Sequence, residues 1–183
     1  DDPRLRPVTS RSVPESSPAT TEELSLVTGE FRATLNVLLV DDERTLRESC
    51  KSILTGLGYR VDVASRGDEG VKMLKRRAYG VVLTDLYMQD VSGMELLQAA
   101  LEQRPETSVI VMTGNPSVKS NVEALRAGAW DYLPKPFSAT HLEIVIGRAS
   151  HTVLVARESA PRGEGSATPA ADDDAPLGVS RGF

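Results

Sequence analysis

Four short apolar runs in this chain each end on a polar residue. VLLVDDE sets Asp41 and Asp42 after one run and VVLTDLY sets Asp85 at the end of another; VIVMTG ends on Thr113, and YLPKPF carries Lys135 and Pro136. Near-continuous runs of Val, Leu and Ile are what strands covered on both faces require, and such strands belong to parallel sheets flanked by helices. Helical patterns lie between the runs, so the chain alternates β and α units around one sheet. In a parallel sheet every strand points the same way. The polar residues then meet at the carboxyl edge, where open α/β sheets bind their ligands.

The pattern predicts strands over 35–40, 60–64, 80–85, 108–113 and 130–133. The second is short and the fifth more polar, which suits positions nearer a sheet edge. Helix starts are marked by capping signals. Ser92 and Glu95 make a capping box, Asn115-Pro116 pairs an N-cap with Pro at the first helical position, and Thr140 with Glu143 repeats the box before the last helix. Gly58 and Gly128 stand where helices should end.

Outside this middle the composition changes. Residues 1–33 are rich in Pro, Ser, Thr and charge, and cannot bury enough apolar surface to offset their ordering entropy; they are expected to be disordered. Residues 158–183 mix Pro, Gly, Ala and a short acidic run and read as a flexible linker or tail. One structured domain over 34–157 is left between them. The first residue is Asp1 and not Met, as expected of a processed or cut chain.

A net charge of −5 argues against a nucleic-acid surface on the chain itself, and the one basic cluster, Lys72 to Arg77, fits the solvated face of an amphipathic helix. The only cysteine, Cys50, excludes an internal disulfide and suits a reducing, cytoplasmic setting. It falls in helical step with Leu46, Ile53, Leu54 and Leu57, so it reads as a core residue and not a nucleophile. No run approaches the ~20 apolar residues of a membrane span.

Several carboxylates gathered at one edge repel one another, and a hard divalent cation relieves that repulsion. With few protein oxygens on offer, Mg²⁺ suits the site, because it keeps several of its waters. A lysine and a threonine are not needed to hold the metal alone. Both suit a phosphoryl group passing onto an Asp. Singly, an Asp-Asp after a strand is commonly a cap and a Lys-Pro a surface loop; the combination is what excludes the plain reading.

VLLVDDE, VVLTDLYMQDVSGMELL, VIVMTG and GAWDYLPKPF closely resemble the receiver domain of bacterial two-component response regulators, over about two thirds of the chain. The resemblance implies a three-layer α/β/α fold of flavodoxin-like receiver type, with a five-stranded parallel sheet in the order 2-1-3-4-5. It makes Asp85 the acceptor of a phosphoryl group from a sensor histidine kinase. Asp42 is expected to touch Mg²⁺ directly and Asp41 mainly through water, with Asp85 and the backbone carbonyl of Tyr87 completing the protein's share. Thr113 and Lys135 match the phosphate-reading hydroxyl and ammonium, and the Lys135–Pro136 bond is expected to be cis. Tyr132 matches the aromatic that swings inward on phosphorylation; a half-buried strand aromatic is the plainer alternative.

Two positions depart from that pattern. Gln89 stands where the family often has Pro, which loosens the loop. The bulky Tyr87 lies near the path of an attacking water and is expected to slow hydrolysis of the acyl phosphate. Gly114, after Thr113, keeps the approach to Asp85 open.

The chain resembles a signalling switch that assists its own phosphorylation and dephosphorylation, and not a metabolic enzyme. GAWDYLPKPF is most similar to receivers of σ54-dependent (NtrC-type) transcriptional activators. Nucleic acid would then be met only through an output module not present here. Leu142, Val145, Ile146, Ala149 and Val153 line one face of the last helix, while Ile144 and Val155 point to incidental exposure or to a homodimer contact. The alternatives are a stand-alone receiver acting by protein contact or phosphorelay, and a Mg²⁺-dependent phosphotransferase on small molecules. The last lacks any visible cap domain or second general acid.

Overall fold

The computed structural model describes residues 28–161. Most of the two segments expected to lack structure therefore lies outside the described residues. The elements run α1 (Gly29–Thr34), β1 (Asn36–Val40), α2 (Arg44–Gly56), β2 (Arg60–Ala64), α3 (Gly67–Arg76), β3 (Val81–Asp85), α4 (Gly93–Gln103), β4 (Ser108–Thr113), α5 (Val118–Arg126), β5 (Asp131–Pro134) and α6 (Ala139–Ser159). All neighbouring strands pair in parallel, in the order β2-β1-β3-β4-β5. As the polarity of the runs implied, β2 and β5 form the edges, and β3 and β4 are buried at every residue.

Alternate side chains of each strand feed opposite layers. Val37, Leu39, Leu83, Ile110 and Met112 join Leu54 of α2 and Leu142 and Ile146 of α6 in one core. Leu38, Val40, Val82, Val109 and Val111 join Leu74, Leu96, Leu97 and Ala124 from α3, α4 and α5 in the other. Cys50 is buried in the first core, where desolvation pushes its thiol up to about 11. It packs as an apolar residue would.

Gly58 and Gly128 adopt φ of 96° and 101°. That left-handed turn lets Tyr59 N–H reach back to Leu54 O and Ala129 N–H to Ala124 O, closing α2 and α5 and releasing the chain into the next strand.

Beyond shifts of one or two residues at strand ends and at the end of α6, three boundaries differ from the sequence expectation for a visible reason. Helical structure is present before residue 33: α1 is capped by Thr28, whose hydroxyl accepts from Phe31 N–H at 3.3 Å. Phe31 packs against the first core, with the Arg157 guanidinium 5.6 Å from its ring centre. Arg32 lies over Tyr59 and donates to Leu57 O. These contacts join residues far apart in sequence, so local composition gave no sign of them. In α5 the N-cap is Ser117 and not Asn115, since Ser117 and Ser120 satisfy one another's backbone N–H groups. In α6 the cap is Ser138, accepting from His141 N–H at 3.0 Å, and not Thr140.

Candidate functional site

The carboxyl edge of the sheet brings together the residues that the sequence placed there. Asp85 ends β3, with 8% of its surface exposed. Asp41 follows β1 and is fully buried, while Asp42 beside it is exposed. Carboxylate oxygens of Asp41, Asp42 and Asp85 all lie within 4.8 Å of one another. Lys135 follows β5; its Nζ stands 2.6 Å from Asp41 Oδ2 and 3.6 Å from Asp85 Oδ1. Its backbone N–H donates to Thr113 O at 2.7 Å, so the last residue of β4 holds the lysine backbone in place. The Lys135–Pro136 bond is cis.

Asp41 is held on both oxygens. Oδ1 accepts from Glu43 N–H at 2.8 Å and Oδ2 from Lys135, while Arg47 donates to its backbone carbonyl at 2.7 Å. This fixes the turn that presents Asp42 to solvent. Asp41 is engaged by Lys135 and the Glu43 N–H, Asp42 is exposed, and one carboxylate oxygen from each of Asp41, Asp42 and Asp85 lies close enough to the others to serve a common cation. Hard oxygen donors in this number suit Mg²⁺, which takes the rest of its shell from water.

Burial raises the Asp85 carboxyl above its ordinary value. Lys135 works against that shift, Asp41 and Asp42 add to it as like charges, and the Tyr87 N–H favours the ionised form. For Lys135 burial disfavours the charge, but the hydrogen bond and charge of Asp41, with Asp85 and Glu43, outweigh it and leave the ammonium raised. Titratable groups that perturb one another in this way cluster at functional sites.

Thr113 is fully buried, and its Oγ1 accepts from Asn115 N–H at 3.0 Å, leaving its own proton to donate elsewhere. A Cβ built at Gly114 would meet nothing within 4 Å, so the approach past Thr113 is open. Tyr87 is 57% exposed. Tyr132 is more deeply set than a half-buried strand aromatic: its ring lies in the second core, 9% exposed, with its hydroxyl 2.7 Å from Ser120 Oγ and accepting from Ser117 N–H at 3.3 Å. Sequence reasoning missed Ser117, Ser120 and Arg47. The Ser-x-x-Ser spacing was the available signal for the first two. It was obscured by the stronger Asn-Pro signature one step earlier.

The sequence profile of the response regulator receiver domain matches residues 37–146. Among curated proteins, the transcriptional regulatory protein ZraR of Klebsiella oxytoca is 34% identical over 121 residues, covering 66% of this chain and 27% of the relative. The chain thus spans about a quarter of the length of the first curated relatives it matches. Among solved structures, the receiver domain protein from Clostridium thermocellum superposes with a TM-score of 0.63 at 31% identity, over 67% of this chain and 98% of that one. The beryllofluoride-activated NtrC4 receiver domain dimer gives 0.62 at 35% identity, over 64% and 98%. No helix among the described residues is long and apolar enough to cross a membrane.

Proposed function

We propose, for a chain that belongs to the response regulator receiver domain family, that Asp85 is the phosphoacceptor of a signalling switch and that Asp42, Asp85 and the Tyr87 carbonyl hold Mg²⁺, with Asp41 behind them. The observation that carries this reading is the Asp85 carboxylate, at the carboxyl end of the central strand, within 4.8 Å of two further carboxylates and 3.6 Å from the Lys135 ammonium.

An Asp85 oxygen attacks the phosphorus of a kinase phosphohistidine. The new O–P bond forms as the N–P bond breaks, and the imidazole leaves with the electron pair and takes up a proton. Bound Mg²⁺ would supply positive charge against the carboxylates and the transferring phosphoryl oxygens. Lys135 turns its ammonium from Asp41 toward the new dianion, and Thr113 donates its free hydroxyl proton to a phosphoryl oxygen. Both groups interact with the modified state differently from the unmodified one, which is the requirement for a population shift. The shift reaches α5 and β5 through Tyr132, whose hydroxyl is bonded into the first turn of α5.

The wider biology rests on the relatives. Several are named transcriptional regulators, which supports a transcriptional output through a module attached to this receiver. A histidine kinase as donor and a cytoplasmic setting belong to the same proposal. A homodimer through exposed Val118, Val122 and Leu125 of α5 and Ile144 and Val155 of α6 is consistent with the dimer named for the NtrC4 receiver.

The test is treatment with Mg²⁺ and either a small phosphodonor or beryllofluoride, followed by mass spectrometry and amide NMR. With the phosphodonor the wild type should gain one phosphoryl group, and with either reagent it should shift the α5–β5 resonances, while Asp85→Asn should do neither. An unmodified wild type, or an equal response in Asp85→Asn, would overturn the assignment.

A further inference from the structure

The loop leading from Asp85 to α4 is tied down at its base. Leu86 N–H donates to Met112 O at 2.7 Å and Gly93 N–H to Leu86 O at 2.9 Å. Ser92 and Glu95 close the α4 end with a reciprocal capping box. Tyr87 and Gln89, in between, are exposed, so packing does little to hold their backbone. Gln89 also lacks the fixed φ that a proline would impose.

Asp90 reaches out of this stretch to a different element. Its Oδ1 accepts from Gly67 N–H at 3.2 Å and its Oδ2 from Asp68 N–H at 2.8 Å, with Arg66 Nε 3.9 Å away. Gly67 and Asp68 open α3, whose own N-cap residue, Arg66, makes no side-chain capping bond. First-turn N–H groups need an acceptor and favour a negative one. Here the acceptor comes from the loop beside the phosphoacceptor. Helix and loop are also pressed together, since a Cβ at Gly67 would sit 2.7 Å from Val91 Cβ. The amide donors, Asp68 first, hold the Asp90 carboxyl well below the ordinary range.

We infer that Asp90 is a positioning residue for the cation site: by capping α3 from the β3–α4 loop, it restrains the backbone that carries the Tyr87 carbonyl, the atom that the functional reading assigns to the cation beside Asp42 and Asp85. This rests on the functional reading above. It also gives the missing proline a substitute, because a loop without intrinsic stiffness is stiffened by a two-point bond to a helix end.

The experiment is a calorimetric titration of the full chain with Mg²⁺ alone, joined to amide hydrogen exchange at Tyr87 and Met88. Asp90→Ala should weaken Mg²⁺ binding by about tenfold, the order seen when supporting residues behind metal ligands are removed. It should also speed exchange at both amides. Asp90→Asn, which keeps one acceptor oxygen, should recover part of each effect and carries the test if the alanine variant folds poorly. Tyr79→Phe is the control for a general loss of stability: it removes a 2.7 Å bond to Asp62 on the edge strand, and should lower Tm with Mg²⁺ affinity unchanged. Wild-type affinity in Asp90→Ala, alongside lost binding in Asp42→Asn, would make Asp90 a plain helix cap and leave the functional reading standing. Absence of Mg²⁺ binding in the wild type would remove both.

Discussion

Lys135 holds Asp41 more closely than it holds Asp85, at 2.6 Å against 3.6 Å. Asp41 is fully buried, so this ammonium is the main compensation for a charge that water does not reach. Removing one partner of a buried pair leaves the other uncompensated. Lys135→Met should therefore cost about 3 kcal/mol in urea unfolding, and adding Asp41→Asn should return part of it. A lysine serving only the phosphoryl group would leave stability unchanged.

Asp85 is destabilising when ionised without metal, since its carboxyl is raised in the fold by burial and like charges. A raised carboxyl binds more protons folded than unfolded, so its contribution falls as pH rises from about 4, the unfolded value. In chelator-treated buffer, Asp85→Asn should melt a few degrees above the wild type at pH 7. The gap should close as the pH is brought down to 4. Added Mg²⁺ should raise the wild type and not the variant.

Tyr132 and Ser120 should behave as a coupled pair. Their hydroxyls lie 2.7 Å apart in a buried setting, and the tyrosine hydroxyl also accepts from Ser117 N–H. Tyr132→Phe and Ser120→Ala should each cost about 1 kcal/mol. A double-mutant cycle should return a coupling of at least 0.5 kcal/mol or so. Strict additivity would separate the two residues and sever the path drawn from β5 to α5.

Tyr87→Asn should shorten the lifetime of phosphorylated Asp85 severalfold, measured by decay of the acyl phosphate after the donor is removed. The phenol is 57% exposed and follows the acceptor by two positions, where it can shed water from the phosphoryl group. An unchanged decay would mean that the ring stands aside from the incoming water.

The sheet was legible because its signal is local and redundant. Val81 to Asp85 and Ser108 to Thr113 are buried at every residue, so their apolar runs announce both the strand and its central position. Asp41, Asp42, Asp85, Thr113 and Lys135 were legible because a parallel sheet sends all its strand ends to one side. Contacts across long separations were not. Asp90 reads in sequence as an ordinary turn residue, and only the fold shows the Gly67 and Asp68 amides on it. Ser117 was passed over because Asn115-Pro116 is the stronger local signature, and tertiary bonding to Tyr132 favours the later cap. Phe31 lies within the stretch whose composition predicts disorder, and the partner that holds it, Arg157, belongs to the opposite end of the domain's sequence.

The contact between Phe31 and Arg157 has a practical side. α1 leads into the amino end of β1, and α6 runs back from the carboxyl edge to finish beside α1. Both paths of the backbone out of the domain therefore leave from the pole opposite Asp85. A tether joined at Gly29 or at Ser159 would be attached on the far side of the sheet from the Asp85 carboxylate.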